Sequence, residues 1–320
     1  MVSLMRLAAR GAGEYGARVS SIDVEGRQVS TTPFVISNDL LGSPEQLRER
    51  ANEDGYVFFR DLVDQASIKE LRGDITRIIG EAGWLDDGTD PFDGISTKEA
   101  RLNRTPEFIP VYDAVQCLES FQTTAHNDEL LDVAEKLLGE PGMPQPSTIV
   151  RMIFPNRQEH TTPPHQDFVL VQGTPEVWTC WIPLGACPQS LGGLAVLKGS
   201  HRLGVLPVYE AQGAGGLRIE ADALQGEWHF SDFELGDALF FHSKTAHQGL
   251  PNVSGNRLRL SVDYRYQKKT DLIMEKNLGV HQGRITWAEV YKGWKSEKYQ
   301  YYWEEHQRES VPRVPSTEFR

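Results

Sequence analysis

Hydrophobic and polar positions in the first third of the chain follow a helical period. The stretch 43–84 predicts a helix, a short strand at Tyr56 to Phe59, and then a longer amphipathic helix. Asp64 precedes the longer helix and is its predicted N-cap, because its side chain can accept a hydrogen bond from a free backbone N–H. The apolar side of that helix consists of Leu71, Ile75, Ile78 and Ile79.

Another helix is predicted between residues 127 and 139. Asn127 or Asp128 is the expected cap, and Gly139 is the residue that ends the helix. This placement bears on His126 and Asp128, which have the spacing of a metal-binding pair. Because an Asn or Asp side chain at a helix start commonly caps the helix, we interpret that pair as structural.

From about Ser147 onward the pattern changes to short β-rich runs separated by turn signals. Strands at this density, without long helices between them, argue against a parallel sheet and favour a sandwich or jelly roll. The end of the chain is helical in character again and rich in Trp and Tyr, which we interpret as packing residues. The predicted strands are STIVRMIF, FVLVQG, EVWTCWIPL, GGLAVL, EWHFSDF, DALFFH and RLRLSVDYRY.

These patterns divide the chain into an extension and one domain. Residues 1–40 are expected to form a flexible N-terminal extension, and residues 41–320 a single domain. Within the domain we expect a mostly helical part at 41–145, a β core at 146–268 and a helical, aromatic-rich segment at 269–320. The fold class is therefore mainly β with flanking helices.

Composition narrows the class of partner. The net charge of −12 argues against nucleic acid or a membrane, because phosphate groups require a basic surface, and favours a small-molecule substrate. The three cysteines have no C-x-x-C spacing, so neither a disulfide framework nor a structural zinc site is indicated, and a cytoplasmic setting is expected. The Arg-containing, acid-poor start also resembles, weakly, an organelle transit peptide.

The candidate chemistry centres on the sequence PPHQDF at 163–168. Residues two apart in an extended segment point to the same face, so His165 and Asp167 can bind one ion. The best candidate for a third ligand is His247, at the mouth of a later strand. His242 competes for this role, but it follows a Phe pair and is typical of a hydrogen-bonded core histidine. Two His and one carboxylate leave three positions open, the arrangement of non-haem Fe(II) oxygenases.

A late strand carries alternating polar residues. In RLRLSVDYR, one face holds Arg257, Arg259, Ser261 and Asp263, and the apolar residues between them form the other face. An Arg with a hydroxyl two residues later can hold the far end of a dicarboxylate by a charge-assisted contact. The alternative is a solvated strand face on which Asp263 pairs with an Arg, and spacing alone leaves both open.

Five motifs follow one another along the chain: PPHQDF, WTCWIPLG, GGLAVLKGSHRLG, ELGDALFFHSKTAHQGLPN and RLRLSVDYRYQ. In this order they resemble the phytanoyl-CoA dioxygenase family of Fe(II)- and 2-oxoglutarate-dependent oxygenases. The similarity runs from about Gly55 to about Gln267.

The resemblance implies a double-stranded β-helix, or jelly-roll, core with helices packed on one sheet. It implies Fe(II) held by His165, Asp167 and His247, with 2-oxoglutarate and O2 as co-substrates. It also implies that an Arg of the late strand holds the C5 carboxylate of 2-oxoglutarate.

Two arginines compete for that role, because Arg257 and Arg259 lie ten and twelve residues after His247 and both come near the spacing of the family. Arg259 is preferred, since Ser261 follows it in an Arg-x-Ser pair, and Arg257 is the reserve. The resemblance also implies that the co-substrate has two neighbours on the strand after the metal pair, Thr179 and Trp181.

The implied reaction couples conversion of 2-oxoglutarate to succinate and CO2 with hydroxylation of a small molecule, such as a specialised metabolite. Asp167 stands where halogenases of the family have a small residue, so halogenation is disfavoured, whereas desaturation and ring formation stay open. Two other functions also remain: a cupin-like Zn or Mn enzyme with the same ligands, and a non-catalytic jelly-roll binding protein. The long loop that contains Arg101 and Arg104 is a candidate lid over the site.

Overall fold

The computed structural model describes residues 20–156, 161–306 and 308–319. The transit-peptide-like start lies outside these ranges. Within them, no helix is both long enough and apolar enough to cross a membrane. The α-helices are α1 (Pro44–Asp54), α2 (Gln65–Glu81), α3 (Ile109–Gln116), α4 (Glu119–Thr123), α5 (Asp128–Leu138), α6 (Phe168–Val171) and α7 (Trp287–Val290).

Most strands belong to two sheets. The strands are β1 (Ser21–Val24), β2 (Arg27–Thr32), β3 (Tyr56–Phe59), β4 (Gly142–Pro144), β5 (Ile149–Ile153), β6 (Trp178–Pro183), β7 (Leu194–Leu197), β8 (Val208–Glu210), β9 (Leu217–Ile219), β10 (Trp228–His229), β11 (Ala238–His242), β12 (His247–Gly249), β13 (Arg259–Lys268), β14 (Ile273–Met274) and β15 (Ser310–Val311). One sheet has the order β1-β2-β10-β7-β12, and the other has the order β3-β11-β6-β13-β4, with β5 also pairing with β13. All of these pairs are antiparallel except β2 with β10. The two sheets form the jelly-roll core that was expected.

Strand alternation separates two apolar cores. On β11, Leu239 and Phe241 pack between the two sheets, whereas Ala238 and Phe240 pack beneath the helices. On β13, the side chains that pack beneath the helices are Leu260, Val262, Tyr264 and Tyr266. The intervening side chains of β13 therefore point into the jelly roll.

The helices cover the outer face of the six-stranded sheet, as predicted. The hydroxyl groups of Tyr264 and Tyr266 donate to the backbone carbonyls of Phe121 and Ala125, at 2.8 and 2.9 Å, and so fasten β13 to this helical layer. Asp64 caps α2 as expected, because its side chain accepts from the backbone N–H of Ser67 at 3.0 Å. This layer seals one face of the strand that carries the polar residues of interest.

In two segments the secondary structure differs from the one that the sequence predicts. The run FVLVQG, predicted as a strand, forms α6, since periodicity cannot separate a short buried helix from a buried strand. Residues 21–32, assigned to a flexible extension, form the hairpin β1–β2. Its turn residues Glu25 and Gly26 have φ of 49° and 80°, the positive values of a type I′ turn.

The C-terminal segment is less helical than expected. Its described residues after 269 contain α7, several single 3-10 turns and the short pair β14–β15. Its aromatic residues do pack, since the Trp287 and Trp303 ring centroids are 4.8 Å apart. Contacts between aromatic rings, rather than helix periodicity, organise this segment.

His126 is a structural residue, as predicted. Asn127 caps α5 by accepting from the backbone N–H of Leu130 at 3.1 Å. The buried ring of His126 stacks on Tyr299 with the centroids 4.0 Å apart. Burial, together with the charge of Lys298, lowers the pKa of His126 to about 4.

Shortening Leu71 should test the helical layer. Leu71 is fully buried in α2 beneath the sheet, so Leu71→Ala is expected to lower the free energy of unfolding by about 2–5 kcal/mol. Leu203→Ala, at a position 58% exposed, should change it by less than about 0.5 kcal/mol. Urea denaturation of both variants measures the difference, and equal losses would contradict this packing.

Replacing His126 should change how stability depends on pH. The pKa of His126 is about 4 in the folded chain and near 6.5 when exposed, so the unfolded chain binds the extra proton as pH falls. The stabilisation is complete above pH 6.5 and is lost on acidification toward pH 4. Between pH 7.5 and 4.5 the wild type should lose about 2 kcal/mol more than His126→Phe, which keeps a stacking ring. The prediction would be wrong if the urea midpoints of the two proteins fell by the same amount between pH 7.5 and 4.5.

Candidate metal centre

His165 and His247 lie side by side at the mouth of the jelly roll. The backbone N–H of each residue donates to the carbonyl of the other, both at 3.0 Å, which forms an isolated antiparallel bridge. The ring centroids are 4.2 Å apart. Two residues separated by 82 positions (247 − 165) thus present their side chains together.

Backbone carbonyls fix the orientation of both imidazoles. Nδ1 of His165 donates to the carbonyl of Pro163 at 2.8 Å, and Nδ1 of His247 donates to that of Thr245 at 2.9 Å. With the proton on Nδ1, the Nε2 atom of each ring is left as the ligand atom. Burial, helped by the adjacent His165, lowers the pKa of His247 to about 3, which keeps this ring neutral.

Asp167 completes the cluster from the start of α6. Its Oδ1 lies 3.7 Å from Nε2 of His165. Candidate ligand atoms of His165, Asp167 and His247 all lie within 4.8 Å of one another, and no second group of this kind occurs in the ranges that the structure describes. The three predicted ligands are therefore brought together and are buried.

His242 lies apart from this cluster. Its Nδ1 accepts from the backbone N–H of Lys244 at 3.1 Å, and its Nε2 is 3.7 Å from a carboxylate oxygen of Glu176. The ring also packs edge-on against Trp178. It has the contacts of the hydrogen-bonded core histidine that the sequence indicated.

Two side chains orient the carboxylate of Asp167. Thr179 Oγ1 donates to Oδ2 at 2.6 Å, while Arg265 donates from Nε to Oδ2 at 3.2 Å and from Nη2 to Oδ1 at 3.3 Å. Burial alone would raise the pKa of Asp167, but the positive charge of the Arg265 guanidinium outweighs burial and holds this pKa well below its usual value.

Sequence reasoning did not find Arg265, although a signal was present. Arg265 lies two residues after Asp263 on β13, so it extends the polar face that begins at Arg259. Asp263 itself pairs with Arg151 of β5 at 3.0 Å rather than with an arginine of its own strand. The polar face of β13 thus forms ion pairs with the candidate ligand Asp167 and with strand β5.

Arg259 and Ser261 carry unpartnered polar atoms inside the jelly roll. Arg259 Nη1 donates to the carbonyl of Gly192 at 2.7 Å, and its guanidinium carbon lies 5.9 Å from the ring centroid of Trp181. Arg259 Nε and Ser261 Oγ are buried and have no hydrogen-bond partner in the described part of the chain. Leaving each such atom without a partner costs about 1–3 kcal/mol of folding free energy, unless a ligand forms the missing hydrogen bond.

Burial distinguishes the two candidate arginines, Arg259 and Arg257. Arg259 is 4% exposed and faces inward, whereas Arg257 precedes β13 and is exposed. One narrow cavity is lined by the three candidate ligands together with Thr179, Trp181 and Arg259. The donor set fits Fe(II), and the unpartnered Arg259 and Ser261 atoms fit the distal carboxylate of 2-oxoglutarate.

A larger cavity of about 580 Å³ adjoins this narrow one. Arg151 lines both cavities and is their shared wall. The loop at 100–105, a candidate lid in the sequence, lines the larger cavity together with the loop at 211–216. The site therefore has an inner compartment next to the three ligands and an outer compartment with room for a second molecule.

Comparison with known proteins gives relatives of matching size. The 1-deoxypentalenic acid 11-beta-hydroxylase of Streptomyces exfoliatus is 28% identical over 248 residues, which cover 73% of this chain and 84% of the relative. The enzyme of the same name from Streptomyces arenae is 28% identical over 245 residues, with 71% and 82% covered. The solved structure of the α-ketoglutarate-dependent epimerase SnoN from nogalamycin biosynthesis has a TM-score of 0.53 at 19% identity, with 72% of this chain and 84% of that chain covered, and shares the fold.

The sequence pattern of one family, described as phytanoyl-CoA dioxygenase (PhyH), matches residues 51–260. This match spans 210 of the 320 residues (260 − 51 + 1) and contains the three candidate ligands and Arg259. The chain therefore belongs to the phytanoyl-CoA dioxygenase family and is an oxygenase that uses Fe(II), 2-oxoglutarate and O2.

Proposed function

We propose that this enzyme hydroxylates a C–H bond of a small molecule, with conversion of 2-oxoglutarate to succinate and CO2. The observation that carries this proposal is the presence, in one cavity, of a three-ligand cluster and an arginine with an unpartnered buried donor. The two curated relatives support hydroxylation, since both are named as hydroxylases of 1-deoxypentalenic acid.

In this proposal His165, Asp167 and His247 hold the metal. When bound, Fe(II) supplies the activation of O2 that couples oxidation of 2-oxoglutarate to oxidation of the substrate. Arg265 and Thr179 keep the Asp167 carboxylate ionised and oriented, and the Phe241 ring, with its centroid 4.3 Å from that of His247, shields the site from water.

Arg259 and Ser261 bind the distal carboxylate of 2-oxoglutarate. Contact with Trp181 and with the Gly192 carbonyl fixes the guanidinium before the ligand arrives, so little side-chain entropy is lost on binding. This role distinguishes the oxygenase from a cupin-like zinc enzyme, which has no use for an anion site beside its metal.

The substrate occupies the larger cavity. The volume of this cavity, about 580 Å³, suits a single small molecule, and the two cavities share Arg151 as a lining residue, so that molecule lies next to the metal ligands. A specialised metabolite is the class we favour, in line with the relatives that act on 1-deoxypentalenic acid.

Removing Asp167 should abolish metal binding at this site. Anaerobic addition of Fe(II) and 2-oxoglutarate to the wild type is expected to give the visible charge-transfer band of a keto-acid chelate. Asp167→Ala should give no band, because the ion loses its only anionic protein ligand. Asp222→Ala, at a side chain that is 89% exposed, should retain the band. Absence of the band in wild type would refute the oxygenase assignment.

Removing the Arg259 side chain should selectively weaken the binding of 2-oxoglutarate. We expect Arg259→Ala to raise the KM for 2-oxoglutarate at least about thirtyfold, because losing a buried charge-assisted contact costs about 2 kcal/mol or more. Arg257→Ala, two residues earlier and exposed, is the matched control and should change this KM less than about twofold. The reverse ranking, from steady-state kinetics with varied 2-oxoglutarate, would assign the anion site to Arg257.

A further inference from the structure

The larger cavity has a rigid apolar wall. Phe108 and Phe154 line it, and Trp84 lies behind both rings, with its centroid 5.6 Å from Phe108 and 5.4 Å from Phe154. The three rings brace one another, so the surface that they present is fixed. Such a surface suits the apolar part of a ligand, for example a hydrocarbon skeleton.

The same cavity is cationic. Among the described residues, three arginines line it and no Asp or Glu side chain does. The lining is therefore positively charged, although the whole chain has a net charge of −12. Arg151 already pairs with Asp263. Arg101 and Arg104 have no ion-pair or hydrogen-bond partner for their side chains within the described ranges.

The unpaired arginines make the mouth of the cavity electropositive. Burial lowers the pKa of Lys276, and the neighbouring charges of Arg313 and Arg104 lower it further. Arg104 is exposed and has a backbone φ of 70°, a value that residues other than glycine rarely adopt. An anionic group bound here would relieve the mutual repulsion of these cations.

We propose that the substrate is a compact, mainly hydrocarbon molecule that carries one carboxylate. The carboxylate binds Arg101 and Arg104, the skeleton lies on the aromatic wall, and the C–H bond to be hydroxylated points toward Arg151. This inference rests on the proposed oxygenase function and extends it to the substrate class. A CoA thioester is disfavoured, because its several phosphate groups need more cations than two unpaired arginines provide.

Binding of chosen acids to the complex with Fe(II) and 2-oxoglutarate, without O2, tests the proposal. The probes are farnesoate and abietate, each with its methyl ester, and farnesoyl-CoA, measured by calorimetric titration. At least one acid should bind about tenfold or more tightly than its ester, the difference that a charge-assisted hydrogen bond supports. The double variant Arg101→Gln, Arg104→Gln should lose this preference and bind the ester as wild type does. Arg77→Gln, on the exposed side of α2, should keep the preference.

Three results would overturn the proposal: equal binding of acids and esters, binding of neither acid, or tighter binding of farnesoyl-CoA than of farnesoate. Thermal melting of the double variant checks that it is folded. A parallel titration without iron separates this inference from the oxygenase assignment, since Arg101 and Arg104 do not contact the metal cluster. A missing chelate band with retained acid preference rejects only the oxygenase assignment, whereas a normal band without acid preference rejects only the substrate class.

Discussion

A pair of backbone hydrogen bonds between His165 and His247 sets the geometry on which the candidate metal centre depends. This bridge joins the segment after two prolines to β12, a strand of the five-stranded sheet. Because each backbone donates to the other, the two rings cannot move apart without breaking the bridge. The carbonyls of Pro163 and Thr245 then set the rotation of the rings. Main-chain contacts, which side-chain substitutions elsewhere leave intact, thus preorganise the site.

Strand β13 supplies the polar interior because its other face is sealed. Leu260, Val262 and their neighbours are covered by helices, so the alternate residues have no route to solvent and must find partners inside. Arg265 forms an ion pair with Asp167, and Asp263 forms one with Arg151. Arg259 and Ser261 keep unpartnered atoms among the described residues, and this observation is the basis for proposing them as the anion site.

Much of the site could be predicted from sequence, but partly for the wrong geometric reason. The sequence predicts His165 and Asp167 on one face of an extended strand, whereas in the structure Asp167 is the N-cap residue of α6. The Arg-x-Ser pair favours Arg259 over Arg257, but alternation puts both on one face, and only the start of β13 at Arg259 shows which arginine is buried. Arg151 and the cavity lined by Arg101 depend on tertiary contacts between distant segments, for which a single sequence carries no local signal. The helix caps, in contrast, are local hydrogen bonds and were predictable, as Asp64 and Asn127 illustrate.

The charges around the inner cavity couple the binding of the metal ion to the binding of 2-oxoglutarate. Arg151, Arg259, Asp167 and Asp263 line this cavity, and Arg265 pairs with Asp167 from outside the lining. The three guanidinium groups and two carboxylates leave one net positive charge. A divalent metal ion raises this to three positive charges in a poorly solvated interior, and a dianionic co-substrate returns it to one. Each therefore makes the binding of the other more favourable, and thermodynamic linkage requires that the two enhancement factors be equal. On this electrostatic argument, metal and 2-oxoglutarate would bind at this face cooperatively rather than as two independent ligands.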